Sequence, residues 1–366
     1  MGRFSEWLSR ILGRAESAGQ TRPTKASPST GPFVHVGAQE GPRYLQFPGR
    51  TGQPTLTTDI VIGFDFGTSC ARVAIQSPFK LDGRVVFVDF GPLGHGSSRY
   101  FLPSRIFVDS QGRLTLDSPQ GELEVHSHLK VDLLDRFDGP ATEDRALARA
   151  TAYVAAALRL TRRYFLETQA DSYGADEIRW SLNIGIPSAG YDDETIRPRF
   201  QRLARAAWEL SLRAETPAME NVLEALGDGA TASEARIDVD VVPEVAAQVV
   251  GYARSRERQD GLHTLMDVGA STLDLCSFVL HAHEADDNYE LLTAAVEPLG
   301  LVELHGRRMD VAGGRPPFDA IPEDLVSALP DWQDGPSSGL PINQLRECDE
   351  RFMAMSRRLL KVSGGH

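Results

Sequence analysis

Residues Asp59 to Ile75, DIVIGFDFGTSCARVAI, decide how the rest of the chain is read. Ile60 to Phe64 is an apolar run of strand length, short enough to be buried. Asp65 stands where that run ends. Gly67, Thr68 and Ser69 follow as a turn of small residues with two hydroxyls. Val73 and Ile75 then alternate with Arg72 and Gln76, so the stretch spells strand, tight turn, strand. Gly67 lacks a Cβ, which lets its backbone approach a ligand closely. Successive N–H groups in such a turn form a concave anion site, and Thr68 and Ser69 add hydroxyl donors. Asp65, at the mouth, is placed to hold a magnesium ion through its water shell. The same residues also describe an ordinary glycine hairpin, and one short motif does not separate the two readings.

The second half of the chain weighs between them. Thr264 to Leu280, TLMDVGASTLDLCSFVL, repeats the order of apolar strand, acid, apolar residue, glycine, small hydroxyl turn and apolar strand. Asp267 takes the place of Asp65, and Gly269 that of Gly67. Ala270, Ser271 and Thr272 complete the second turn, after which Asp274 reads as a loop stabiliser. Two copies of one phosphate-type hairpin, about two hundred residues apart, are far less expected by chance than one. Duplicated halves facing each other across a cleft would hold a polyphosphate from both sides.

The totals set bounds. A chain of 366 residues suits one large or two medium domains. With 41% hydrophobic and 24% charged residues, a globular body is expected. A formal net charge of −13 argues against nucleic acid as a partner, since non-specific binding there is driven by neutralising phosphates. The 3 cysteines, Cys70, Cys276 and Cys348, show no CxxC spacing, so neither a disulfide framework nor a zinc site is indicated, and a reducing cytoplasm is expected. Cys70 borders the first turn, as a small filler or a redox-sensitive thiol. No apolar run approaches the roughly 20 residues of a membrane span.

Along the chain, Arg3 to Arg14 reads as an amphipathic helix with Phe4, Trp7, Leu8, Ile11 and Leu12 on one stripe. It either packs back on the body or meets a partner or membrane surface. Ala15 to Thr58 is rich in Gly, Pro, Ser and Thr and reads as a flexible arm. Val85–Phe90, Tyr100–Asp109 and Arg113–Leu116 read as further strands or turn-and-strand segments, and Leu129–Leu134 is ambiguous. Glu143–Ala170 and Asp192–Arg213 read as long helices, the second opened by acids, with Pro198 marking its first turn. Ile178–Ile186 is a strand ending at Pro187. Ile237–Val242 is a strand and Pro243–Arg254 a helix. Leu262–Asp267, Leu273–Leu280 and Tyr289–Val296 are strands. Gly313–Pro341 reads as loop and Ile342–Val362 as a helix.

Together the paired hairpins resemble the actin and Hsp70 ATPase superfamily, and within it the Hsp70-like proteins. Asp65 to Ser69 resembles the first phosphate motif and Asp267 to Thr272 the second. RYFLPSRIF, Arg99 to Phe107, is similar to the family's Pro-Ser segment before a strand, and Lys130 falls where the catalytic lysine follows it. Ile184 to Pro187 resembles the strand that ends in a proline. Pro243 to Tyr252 resembles the connecting motif, whose acid is here Glu244, and Pro298 to Arg307 is weakly similar to a later glycine segment.

The resemblance implies an α/β chain of two lobes with duplicated mixed sheets flanked by helices. The arm would cover 1–58, the first lobe 59–240, and an incomplete second lobe 241–366. It implies ATP/ADP and Mg²⁺ as ligands. Asp65, Gly67, Thr68, Ser69, Cys70, Gly269, Ala270, Ser271 and Thr272 would bind nucleotide, Asp65 and Asp267 the metal, and Lys130, Glu244 and Asp267 would be catalytic. The second turn reads GAST where Hsp70 has three glycines. The tail resembles the helix before the family's adenosine motif, with only Ser363 to His366 after it, so an incomplete adenine side is expected. Three functions follow: a slow Hsp70-like ATPase with a protein client, a pseudo-ATPase acting as an interaction module, or, more distantly, a small-molecule kinase of the same superfamily.

Overall fold

The computed structural model describes residues 45–47, 54, 56–79, 85–94, 99–116, 124–127, 129–134, 137, 139–191, 193–213, 216–227, 237–253, 255–270, 272–283, 286–297 and 300. The helix expected over Arg3–Arg14, the segment Gly313–Pro341, the tail helix, the segment Pro298–Arg307 beyond Gly300, Cys348 and Ser271 lie outside them.

Strands β1 (Thr57–Phe66), β2 (Cys70–Gln76), β3 (Val85–Phe87), β4 (Leu102–Pro103), β5 (Arg105–Val108), β6 (Leu114–Thr115) and β7 (Glu124–Ser127) precede helices α1 (Leu129–Asp132) and α2 (Pro140–Thr168). Next come β8 (Glu177–Ile186), α3 (Ile196–Leu212), α4 (Met219–Gly227), β9 (Asp238–Pro243) and α5 (Glu244–Ala253). Strands β10 (Gly261–Val268), β11 (Leu273–His283) and β12 (Asp286–Glu297) follow. The main sheet runs β3-β2-β1-β8-β9, with β4 pairing β2; β1, β8 and β9 are parallel, and β2 is antiparallel to β1. Strands β10-β11-β12 form a second, antiparallel sheet and β6-β5-β7 a third. The fold is therefore mixed α/β, a mixed sheet and smaller sheets flanked by helices. No helix among the described residues is long and apolar enough to cross a membrane.

Alternation fixes which face of the main sheet is buried. On β1, Ile60, Ile62, Phe64 and Phe66 point into the core; on β8, Ile178, Trp180, Leu182, Ile184 and Ile186 do the same. Helix α2 supplies the matching stripe, including Leu147, Val154, Leu158 and Phe165, and Tyr153 stacks on Phe66 with ring centroids 5.7 Å apart. The opposite face carries Asp59, Gly63 and Asp65 on β1 beside Arg179, Asn183 and Gly185 on β8. That face is polar, small and partly open. Cys276, Phe278 and Leu280 on β11 join the same hydrophobic core, so the second sheet is packed to the body by its inner side. Its outer side leaves Leu262, Met266 and Val268 exposed.

Several local expectations are corrected. The reading of Ala15–Thr58 as a flexible arm fails at its end. Phe47 is buried against Phe165, the Gln46 amide both donates to and accepts from the backbone of Ile178 at 2.8 Å, and β1 begins at Thr57. One aromatic and one amide that mimics a strand partner overcome the surrounding Pro/Gly composition. The helix expected from Asp192 begins at Ile196 after a turn in which the Asp193 carboxylate accepts from the N–H groups of Thr195 and Ile196. Strand β7 and helix α4 were not anticipated. Leu129–Leu134 resolves into α1 followed by a turn.

Replacing Phe47 with alanine is expected to lower stability by about 3 kcal/mol, as large-to-small core changes do. Urea unfolding checks this; a change below about 0.5 kcal/mol, the level of an ordinary surface substitution, would return residues 45–47 to the flexible arm.

Candidate functional site

Parallel strands bring their carboxyl ends to one edge, which is where open α/β sheets bind ligands. Asp65 lies one residue before the end of β1, Gly185 one before the end of β8, and Pro243 ends β9 where Glu244 opens α5. The chain turns directly from strand into helix at Pro243–Glu244, so the Glu244 carboxylate sits at a helix start, where the dipole favours negative charge. Gly185 makes room for it. A Cβ there would lie 3.2 Å from both Cγ and Oε1 of Glu244. Any larger residue at 185 would push the acid aside.

Glu244 Oε1 accepts from Lys130 Nζ at 2.5 Å. Lys130 is 5% exposed and comes from α1, which follows β7 in the chain and packs against α2. Burial pushes the Glu244 carboxyl above the usual range, the ammonium of Lys130 pulls it back, and the negative charges of Asp65 and Asp274 add to the upward push. Burial likewise raises Asp274, against a hydrogen bond from Thr272 and the charge of Lys130, with Asp267 adding to the rise. Asp65 from the first hairpin and Asp274 from the second thus both bear on the Glu244 carboxyl, and Asp267 bears on Asp274.

The hairpins have the same register. Phe66 pairs Ala71 and Asp65 pairs Arg72; Val268 pairs Leu273 and Asp267 pairs Asp274. Each glycine is needed where it stands. A Cβ on Gly67 would come within 2.3 Å of the Cys70 carbonyl oxygen, and one on Gly269 within 3.1 Å of that of Thr272. The Gly269 N–H donates to the Thr272 carbonyl at 2.8 Å, and Thr272 Oγ1 donates to Asp274 Oδ2 at 3.0 Å. The first turn is braced from outside: Ser104 Oγ donates to the Gly67 carbonyl at 2.6 Å and its N–H to that of Ser69 at 2.8 Å. The Pro103–Ser104 segment therefore supports the turn. Thr68 and Ala270 are half-buried and Ser69 is exposed.

The cross-strand partners of the two acids have opposite sign. Asp65 Oδ2 accepts from Arg72 Nε at 2.9 Å and Nη2 at 2.7 Å. Asp267 faces Asp274, a like-charged pair that is unfavourable on its own. Gln248 of α5 donates to Asp267 Oδ2 at 2.5 Å. Asp274 is 5% exposed, and its Oδ1 is buried with no hydrogen-bond partner among the described residues. Such an orphaned oxygen beside a second carboxylate suits a cation. Among the described residues no group of three or more His, Cys, Asp or Glu is close enough to ligate a metal directly.

Arg72, Ser104, Gly185 and Gln248 were not singled out in the sequence. Only Arg72 had a signal: it stands as far after Asp65 as Asp274 does after Asp267. Burial raises the Cys70 thiol although Arg105 and Arg72 pull it down, which keeps it protonated and favours the filler role. A comparison with protein-family models finds no match, and a comparison with curated protein sequences finds none.

Removing Lys130 leaves Glu244 an uncompensated buried carboxylate, so Lys130→Ala is expected to lose about 3–5 kcal/mol at neutral pH. The sign with pH follows from the raised carboxyl. Between its unfolded value of about 4.3 and its folded value, the native chain keeps a proton that the unfolded chain has released, so stability falls as pH rises. Without Lys130 that window extends upward. Melting temperatures across about pH 4 to 8 should fall more steeply in Lys130→Ala than in the wild type, and Glu244→Gln on the same background should remove the extra slope. Parallel curves for all three proteins would refute the coupling.

Proposed function

We propose that the chain is an Hsp70-like ATP-binding protein of the actin and Hsp70 superfamily, a slow Mg²⁺-dependent ATPase whose two phosphate turns close on one nucleotide. The observation that supports this reading is the pair of hairpins of identical register, one residue of each (Asp65 and Asp274) bearing on the Glu244 carboxyl that Lys130 holds. N–H groups of the two turns bind β- and γ-phosphate oxygens, Gly67 to Cys70 in the first and Ala270 to Thr272 in the second, and Thr68 and Ser69 add hydroxyl donors. Lys130 neutralises charge gathering on the γ-phosphoryl oxygens. Glu244 orients the attacking water; its carboxyl, tuned by burial and by Lys130, accepts that water's hydrogen bond. Asp267 and Asp274 hold magnesium through its water shell, and the bound ion supplies charge neutralisation of the phosphates. Closing the two sheets on the ligand would couple nucleotide to the position of β10–β12, which is how such a body could act on a protein client.

The closed Lys130–Glu244 contact favours a second reading. In it both side chains are committed to each other, the body binds nucleotide weakly or not at all, and it serves as a protein-interaction module.

Calorimetric titration of ATP with and without Mg²⁺, followed by phosphate release, separates the readings. The first expects Mg²⁺-dependent binding, a loss of at least about tenfold in Asp267→Asn, roughly 1.4 kcal/mol, and phosphate release abolished in Lys130→Ala. No binding at millimolar ATP leaves only the scaffold.

A further inference from the structure

We propose that Arg72 is the phosphate-gripping residue of the first hairpin, with Asp65 positioning it, and that the divalent cation of a bound oligophosphate is held from the second hairpin alone. The inference rests on reading the cleft as a phosphate site and divides the labour within it. It revises the expectation that Asp65 and Asp267 share the metal.

The division follows from one register position. The residue opposite the hairpin acid is Arg72 in the first copy and Asp274 in the second. Arg72 directs Nε and Nη2 at the same oxygen of Asp65, so that carboxylate already has a full counter-charge. A metal there would have to displace a guanidinium. The second copy is the reverse: two facing carboxylates, one with a buried oxygen that nothing donates to. A cation is redundant at the first hairpin and wanting at the second.

Arg72 can also meet a ligand without leaving Asp65. Its side chain is 56% exposed, and only Nε and Nη2 of its guanidinium donate to Asp65, which leaves Nη1 for a ligand oxygen. The Phe101 ring lies 5.4 Å from the guanidinium carbon and limits where the group can go. A planar fork with several donors matches phosphate oxygens better than it matches a single carboxylate oxygen. The two hairpins therefore differ in polarity, with anion toward β2 and cation toward β11, and the ligand class they suit is a metal-chelated oligophosphate.

The test measures ATP affinity in Mg²⁺ and in EDTA, and Mn²⁺ binding without nucleotide by electron paramagnetic resonance, on the full chain. Arg72→Gln should weaken ATP at least tenfold in both buffers, and Arg72→Lys should recover part of that loss. Asp274→Asn should weaken ATP only in Mg²⁺ and should lose the bound Mn²⁺. Asp65→Asn should keep both the Mg²⁺ dependence and the Mn²⁺. Melting curves confirm that each variant is folded. Loss of Mn²⁺ or of the Mg²⁺ dependence in Asp65→Asn, unchanged or tighter ATP binding in Arg72→Gln, or no Mn²⁺ bound by the wild type at millimolar metal overturns the proposal. If the wild type binds no ATP in either buffer, the nucleotide reading fails and Arg72 loses its phosphate role with it. Mn²⁺ lost in Asp274→Asn but kept in Asp65→Asn would then support only the placement of the cation.

Discussion

The ion pair between Lys130 and Glu244 is the constraint on which the site depends. It joins a short helix that follows the third sheet to the first residue of the helix that leaves β9. Neither charge is affordable alone in that environment, since a buried ion without its partner is strongly destabilising. The pair therefore ties the position of α1 to that of α5, and with α5 comes the second sheet. Gly185 is the steric condition for the arrangement, and burial with three neighbouring charges is its electrostatic signature. A carboxyl held in this way is suited to orienting water, because its basicity is set by surroundings that the fold keeps fixed.

Around that pair the two hairpins act as copies that have diverged in charge but not in geometry. Loop length and register agree, and each glycine stands where the backbone closes back on itself within three residues. The bracing differs. The first turn leans on Ser104 and sits above the Tyr153–Phe66 stack, whereas the second is tied internally through Gly269, Thr272 and Asp274. A turn fixed by the protein interior and one fixed by its own short contacts differ in how readily they adjust.

Much of this was legible before any coordinates. A short apolar run gave β1 and period-two alternation gave β2, and β8, β10 and β11 were also legible as strands, because a strand with one buried face writes its pattern into the sequence. The repeated order of acid, glycine and hydroxyl turn pointed to the two hairpins, which share one register. The pairing of Lys130 with Glu244, 114 residues apart, is not a local property and was not read from the sequence; the two residues entered singly, through family resemblance. Arg72 and Gln248 were missed because a charged or amide side chain on a strand or helix usually faces solvent, and only register reveals what lies opposite. Asp274 read as a loop stabiliser, and one of its oxygens is that; the solitude of the other is a matter of burial, which no motif encodes. Helix α4 carries a regular apolar stripe at Met219, Val222, Leu223 and Leu226 that its nine residues make brief. Phe47 and Gln46 were hidden by their Pro- and Gly-rich surroundings.

The central claim is that two turns far apart in the chain serve one ligand across a single buried ion pair. Amide nitrogen–proton spectra recorded while Mg·ATP is added test it most directly. The account predicts that the resonances of Gly67 to Cys70 and of Gly269 to Thr272 move together along one saturation curve. Movement of one turn without the other, or of neither at millimolar nucleotide, would contradict it.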